Sequence, residues 1–156
     1  MSDFFDFIDA EIAQLKRLVP VPTGELGYGT DLSCVMDVTE TLEEVDPNSV
    51  NGLGEALIRR LTTRRGSLPD DPDYGIDVAA FCNKGMTRQD LLALEGEIGS
   101  ELRKDDRVQS TSTKVTWSDP RLDVRIKVVP EMPGVDPFSL TMAVEDGSVL
   151  FLEVSR

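Results

Sequence analysis

The chain of 156 residues contains no histidine and only two cysteines, Cys34 and Cys82. Without histidine it cannot build a Ser-His or Cys-His catalytic pair, or a zinc site with histidine ligands. The two cysteines are far apart in the sequence and have apolar neighbours, which is typical of buried small hydrophobic side chains rather than of a disulfide in a cytosolic chain. These absences exclude several classes of enzyme at once.

Long apolar runs and positive charge are also scarce. No stretch approaches the roughly 20 apolar residues of a membrane helix, and no basic segment followed by an apolar run marks a secretory signal, so we expect neither. The 29 acidic residues against 16 basic ones give a formal net charge of −13. A surface of this charge repels phosphate backbones, which argues against nucleic acid as a partner and favours basic proteins.

The first half of the chain has the hydrophobic period of helices. Apolar residues at three- and four-residue intervals predict an N-terminal helix over residues 3–19 and a basic helix within residues 52–66 that ends at Gly66. A short helix is predicted from Tyr74 to Asn83, and the next helix is predicted to begin at Thr87, because Thr87 and Asp90 have the spacing of a capping box.

The second half has the period of strands. After Asp105, apolar and polar residues alternate from Val115 onward, and Asp146-Gly147 is the turn signal of a hairpin. Residues 31–45, by contrast, indicate only a short strand or buried loop followed by an acidic turn.

These patterns predict an α+β fold in which N-terminal helices pack on a C-terminal antiparallel meander of three or four strands. The length allows one domain with a single modest core, residues 1–156. It divides into an N-terminal helix with a proline linker (1–22), a helical half (23–104) and the β-meander (105–156).

The last predicted strand breaks the alternation. Val149-Leu150-Phe151-Leu152 is apolar on both faces, so half of these side chains would face water unless something covers them. Two explanations remain open. The N-terminal helix of the same chain covers the strand, or the strand is an edge that accepts a strand of another protein.

The end of the basic helix carries four arginines, and a stiff turn with two prolines and three aspartates follows, from Leu68 to Tyr74. The arginines are Arg59, Arg60, Arg64 and Arg65. The sequence leaves two explanations open: a salt-bridge clamp in which arginines and aspartates satisfy each other, or a docking surface for a partner.

Several motifs together resemble one family. They are Arg59-Arg60-Leu61-Thr62-Thr63 with Arg65-Gly66, Asp71-Pro72-Asp73-Tyr74-Gly75, Gly29-Thr30-Asp31-Leu32-Ser33-Cys34-Val35 with Asp37, and Asp105-Asp106-Arg107-Val108. They resemble the small baseplate wedge proteins of contractile phage tails, also called sheath initiators and historically labelled lysozyme-like. Relatives of that family occur in type VI secretion systems and in extracellular contractile injection machines.

The resemblance covers residues 25–156, with two departures. Arg64 stands where many members have proline, and Asp106 stands where proline or glutamate is usual. Either change could alter which neighbour is recognised.

The resemblance implies a structural protein and not an enzyme. It implies a subunit that joins the baseplate wedge to the sheath and initiates sheath assembly by strand sharing. The implied partners are larger baseplate wedge proteins and the sheath protein, with tube or hub proteins as further candidates, and no cofactor, metal, membrane or small-molecule substrate. Assembly would take place in the cytoplasm of the bacterial host, and the mature protein would lie in a virion tail baseplate or an injection-system particle.

The candidate partner-binding residues form two sets. The wedge set contains Arg59, Arg60, Arg64, Arg65, Asp71, Asp73, Tyr74, Asp105, Asp106 and Arg107, and the sheath set contains Val149, Leu150, Phe151, Leu152 and Val154. For Asp105 and Arg107, an intramolecular bridge at the junction of helices and sheet is the alternative to a wedge contact. If Arg107 makes the wedge contact, reversing its charge blocks incorporation without unfolding the monomer.

Two other functions remain as alternatives. A peptidoglycan-degrading, lysozyme-like enzyme of the tail needs two carboxylates across a cleft, one of them with a raised pKa, whereas the acidic residues here lie in polar clusters. A calcium loop is echoed by Asp71, Asp73 and Gly75, but Cys82 stands where a bidentate glutamate is needed.

Overall fold

The computed structural model describes residues 29–34, 43–82 and 85–155. The described helices are α1 (Val50–Thr62), a single 3-10 turn (Val78–Phe81) and α2 (Arg88–Leu102). The described strands are β1 (Asp31–Leu32), β2 (Glu44–Val45), β3 (Val108–Ser118), β4 (Arg121–Pro130), β5 (Phe138–Glu145) and β6 (Ser148–Ser155). The helix predicted at residues 3–19 lies outside the described residues.

Strands β3 to β6 form an antiparallel sheet in which each strand pairs with the next one along the chain, and β1 and β2 form a separate antiparallel pair. The turn between β5 and β6 is Asp146-Gly147, as predicted. Both residues have a positive φ, 50° and 74°, which a two-residue hairpin turn of type I′ requires.

The predicted fold class is wrong in the position of its helices. Helices α1 and α2 lie in the middle of the chain, after the β1–β2 pair, so the described chain runs from a small sheet through two helices to the main sheet. The sequence left a short strand open within residues 31–45, but it did not predict that β1 pairs with β2, because strands of two residues are too short to show an alternation. The described chain is strand-rich, with its main sheet in the C-terminal half.

Helix α1 begins at a capping serine and ends earlier than predicted. The side chain of Ser49 accepts a hydrogen bond from the Gly52 N–H at 3.0 Å, which satisfies a free donor of the first turn. The apolar stripe of the helix is buried and consists of Val50, Leu53, Leu57, Ile58 and Leu61. The helix ends at Thr62, and Gly66 adopts its left-handed φ of 80° in the turn that follows.

Helix α2 has the predicted capping box. The Thr87 side chain accepts a hydrogen bond from the Asp90 N–H, and the Asp90 carboxylate accepts one from the Thr87 N–H at 2.8 Å. Its buried residues include Leu94, Ile98 and Leu102. A Cβ added to Gly99 would lie 3.4 Å from Thr111 Oγ1, which is an ordinary contact distance and places this side of α2 next to β3.

The core lies between the helices and one face of the main sheet. The sheet contributes Leu122, Val124, Ile126 and Val128 from β4, and Phe138, Leu140, Met142 and Val144 from β5. Helix α1 also reaches β6, since a Cβ added to Gly54 would lie 2.9 Å from a methyl carbon of Val154. The last strand therefore packs against the core through Val154.

A bulge explains why β6 breaks the alternation. The adjacent β5 residues 143–144 pair with Phe151 and Val149, so Leu150 is an extra residue in β6. Val149 and Val154 both pack against the core. In an uninterrupted strand they would lie on opposite faces, because their separation is odd.

Two glycines in helices give a matched test of this packing. A Cβ added to Gly52 would overlap the Asp46 carbonyl oxygen and lie 2.8 Å from the Pro47 Cα, whereas a Cβ on Gly96 meets nothing within 4 Å. We expect Gly52→Ala to lower the free energy of unfolding by about 1–3 kcal/mol. Gly96→Ala should raise it by up to about 1 kcal/mol, because alanine favours the helix. Urea unfolding measures both, and changes of the same sign would contradict the described packing.

Candidate partner-binding site

The carboxylate of Glu101, at the end of α2, is the centre of a buried ion cluster. Its side chain is 0% exposed. It accepts hydrogen bonds from Arg60 at 3.2 Å, from Arg65 at 3.0 Å and from the Gly75 N–H at 2.9 Å, and it pairs with Lys104 at 2.8 Å. A buried carboxylate is costly unless it is paired, and these partners supply that pairing. We name these five residues the Glu101 cluster.

The charge state of Glu101 follows from these contacts. Burial raises the pKa of this carboxyl, but the hydrogen bonds from Lys104, the Gly75 N–H and Arg65 together outweigh burial. The pKa of Glu101 therefore lies below its ordinary value of 4.5. The carboxylate is charged at neutral pH, and acid weakens the cluster.

The Glu101 cluster holds the loop of residues 64–73, which we name the acidic loop. Every residue of this loop is exposed. The Gly66 N–H donates to the Pro72 carbonyl at 2.9 Å across the base of the loop, and the Lys104 ammonium donates to the Asp73 carbonyl at 2.6 Å. The backbone of the loop is thus fixed while its side chains are accessible.

Tyr74 and Gly75 connect the acidic loop to the core. The guanidinium carbon of Arg60 lies 4.4 Å from the centroid of the Tyr74 ring, within the range of a cation–π interaction. Gly75 has a φ of 88°, and a Cβ there would overlap the Thr63 carbonyl oxygen. The Arg65 Nε donates to the Gly75 carbonyl at 3.1 Å. Only glycine fits this position.

The salt-bridge clamp, one of the two explanations that the sequence allowed, is present. The acid that pairs with Arg60 and Arg65 is Glu101 and not an aspartate of the turn. Arg59 pairs instead with Asp31 at 2.6 Å. The side chains of Arg64, Asp71 and Asp73 are exposed.

Sequence reasoning missed Glu101, because it lies 36 residues from Arg65 and looks like one solvated acid among many. One signal could have found it. Glu101 follows Ile98 by three residues, and therefore falls on the apolar stripe of α2, where a charge needs a partner.

Asp105 and Arg107 form a second buried ion pair. The guanidinium donates to both carboxylate oxygens, at 2.8 Å and 2.7 Å, and a third bond from Nη1 to the Pro47 carbonyl at 2.7 Å ties the segment before α1 to the start of β3. The two side chains are 8% and 7% exposed, so they form an intramolecular bridge at the junction of helices and sheet. Asp106, between them, is exposed.

The hydrogen-bond pattern of β3 shows which of its residues face the free edge. Val115 donates its N–H to Glu95 Oε1 at 2.8 Å and not to β4. Val115 lies opposite Val124, and its N–H points away from β4. These two residues therefore form a pair that does not exchange backbone hydrogen bonds, whereas the pairs on either side of it do. Val124 must then exchange hydrogen bonds with Met142 in β5.

The same alternation continues to β6. The backbone N–H and C=O groups of Met142 point towards β4. Those of its neighbour Thr141 therefore point towards β6, where they exchange hydrogen bonds with Glu153. The N–H and C=O groups of Leu152 and Val154, on either side of Glu153, therefore face away from β5.

Among the described residues, no strand pairs with this outer side of β6. Two of the predicted sheath residues, Val149 and Val154, are half-buried against the core. For Leu150, Phe151 and Leu152 the structure describes the backbone alone. The available feature of β6 is therefore its backbone edge.

The opposite edge of the sheet is blocked at Val115. Helix α2 packs on β3, the Glu95 carboxylate caps the outward N–H of Val115, and the Lys114 ammonium lies 3.5 Å from the same carboxylate oxygen. Sequence reasoning missed Glu95, which no local motif marks. The two edges of the main sheet thus differ.

A surface pocket of about 300 Å³ lies between α2 and the segment before it. Its lining combines Phe81 and Met86 with the acidic Asp90 and Glu97. Hydrogen bonds from Thr87 lower the pKa of Asp90, so this carboxyl does not have the raised pKa of a general acid. Within residues 29–34, 43–82 and 85–155, no group of three metal-ligating side chains could hold a metal ion.

Comparison of the chain with protein-family models and with curated proteins finds no match. No helix in the described part of the chain is long and apolar enough to cross a membrane. A proposal of function therefore depends on the contacts described above and on the motifs of the sequence.

Replacing Glu101 by glutamine keeps the shape of the side chain and removes its charge. At neutral pH we expect the free energy of unfolding to fall by about 3 kcal/mol, because three cations lose their buried partner. The folded pKa lies below the unfolded one, so the contribution of the carboxylate is complete above 4.5 and is lost as the pH falls through the folded value. Urea unfolding over a pH series should show wild type and variant converging in acid. Glu97→Gln, at an exposed position of α2, is the control, and a difference independent of pH would contradict the assignment.

Arg107→Glu should unfold the monomer or cost about 3–5 kcal/mol, because it places two carboxylates together in a buried site. This differs from the expectation from the sequence, in which reversing the charge of Arg107 does not unfold the monomer. Arg64→Glu, on the exposed acidic loop, should change the free energy of unfolding by less than about 0.5 kcal/mol. Thermal and urea unfolding compare the two, and equal stabilities would show that the buried pair contributes nothing.

Proposed function

We propose that this protein is a structural subunit of the baseplate of a contractile tail or injection system, where it joins the wedge to the sheath and initiates sheath assembly by strand sharing. The contrast between the two edges of the main sheet carries the proposal. Glu95 caps β3, whereas the outward backbone groups of Leu152 and Val154 have no partner strand among the described residues. One open edge suits the addition of an extended segment from another protein.

The bulge limits where such a segment pairs. Leu150 interrupts the regular register, so the longest regular stretch of the free edge is residues 151–155. Each added backbone hydrogen bond contributes about 1 kcal/mol net, so a stretch of this length supplies only a modest affinity by itself. Side-chain contacts, or several copies acting together, have to complete the binding.

The acidic loop is the surface that we assign to the wedge. It exposes Leu68, which is 41% exposed, between arginines and aspartates, on a backbone that the Glu101 cluster holds in place. A loop that is already ordered loses little conformational entropy on binding. We place the wedge contact here rather than on Asp105 and Arg107, because that pair is buried.

In this proposal the partners are larger wedge proteins and the sheath protein, with tube or hub proteins as further candidates. The role is positional and requires no cofactor and no bond-breaking step. Assembly takes place in the cytoplasm of the bacterial host, and the mature protein lies in a tail baseplate or injection particle.

The alternative is a peptidoglycan hydrolase of the tail. A glycosidase of the usual kind needs a carboxyl whose pKa is raised. Among the described residues, the carboxyls with a shifted pKa are Asp90, Glu101 and Asp105, and each shift is downward. No observation favours the hydrolase, so we propose the structural role alone.

Leu152→Pro tests the proposal at the edge itself. Proline removes an N–H that faces outward and leaves the bonds between β5 and β6 intact, a position where strands tolerate proline. Leu152→Ala removes the same side chain but keeps the N–H. We expect particles with the proline variant to contain baseplates without sheath, and particles with the alanine variant to carry sheath, as seen by electron microscopy. Sheaths of normal length on a folded proline variant would refute strand sharing at β6.

A further inference from the structure

Glu95 occupies the position that a fifth strand would take beside β3. Its carboxylate oxygen lies 2.8 Å from the Val115 nitrogen and 3.5 Å from the Lys114 ammonium. Helix α2 packs on the core face of β3, while Lys114 lies on the opposite face, beside Arg125. The carboxylate thus lies between the two faces, at the edge of the sheet, and its side chain is only 17% exposed.

An added strand has to place its backbone about 4.8 Å from β3, with a carbonyl oxygen where the Glu95 oxygen now lies. Both cannot occupy this space. The edge of β3 is therefore closed at Val115 for as long as the carboxylate remains there.

The two edges of one sheet are complementary to each other. If β3 were open, its outward N–H and C=O groups could pair with those of β6 in a second copy. Such a contact joins different surfaces of the two copies, so it can repeat from copy to copy and build a chain or ring of subunits. Charged side chains at sheet edges are a common protection against this kind of association.

We propose that Glu95 makes strand addition one-sided: it closes β3 against the β6 edge of a second copy of this chain and leaves β6 open to a partner strand. The proposal rests on the open β6 edge of the proposed function. The consequence is that copies of the chain do not associate with each other before an assembly partner binds.

The purified full chain tests this proposal without any partner. Wild type should remain a monomer in size-exclusion chromatography with light scattering as the protein concentration rises. Glu95→Ala should form species of increasing mass over the same range. Glu95→Gln should remain a monomer, because its amide oxygen can still accept the Val115 N–H, and so should Glu97→Ala, the control on the same helix. A monomeric Glu95→Ala variant, or a self-associating wild type, would overturn the proposal.

Adding Leu152→Pro to Glu95→Ala identifies the edge that is used. If β3 pairs with β6, the proline removes an outward N–H of β6, and the double variant should return to a monomer. Association that survives the proline change would mean that the copies meet elsewhere, and the one-sided arrangement would be wrong.

Hydrogen exchange measures the cap directly. In dilute Glu95→Ala, the Val115 amide should exchange about tenfold faster than in wild type, because it loses one hydrogen bond. An unchanged rate would show that Glu95 does not protect this edge. These measurements need no sheath, so their failure leaves the sheath test of Leu152→Pro unaffected. A failed sheath test likewise leaves the protection of Val115 by Glu95 open to measurement.

Discussion

The interaction on which the described helical region depends is the pairing of the Glu101 carboxylate with three cations and the Gly75 N–H. A buried charge that loses its partners is very costly, so these groups have to meet whenever the core forms. Their meeting fixes α1 relative to α2, and it determines the path of the acidic loop between them. The exposed loop is therefore ordered by a buried contact in addition to its prolines.

The difference between the two sheet edges also arises from the position of a helix. Because α2 packs on β3, its Glu95 reaches the outward N–H of Val115. Helix α1 contacts β6 through Gly54 and Val154, on the core face of the strand. The bulge at Leu150 lets Val149 and Val154 both pack against the core. The outward N–H and C=O groups of β6 lie along the edge of the sheet. Our proposal of an assembly role by strand addition rests on this asymmetry.

Several elements could be predicted because their causes are local. The capping box at Thr87, the type I′ turn at Asp146-Gly147 and the buried stripes of both helices depend on neighbouring residues alone. The order of helices and sheets could not be predicted in full, since β1 and β2 are too short to show a pattern. The sequence could not decide whether Asp105 and Arg107 bind the wedge or each other. That depends on whether the pair is buried, and hydrophobic periodicity does not show the burial of a charged pair.

The amino-acid sequence by itself determined where the main helices and strands form, because caps, turns and hydrophobic periods act between residues that are close along the chain. Only the tertiary structure decided which charges pair and which sheet edge is closed. Glu101 lies 36 residues from Arg65, and Glu95 lies 20 residues from Val115. Contacts at such separations exist only when the packing of α2 against α1 and β3 brings the groups together, and no local pattern encodes that packing.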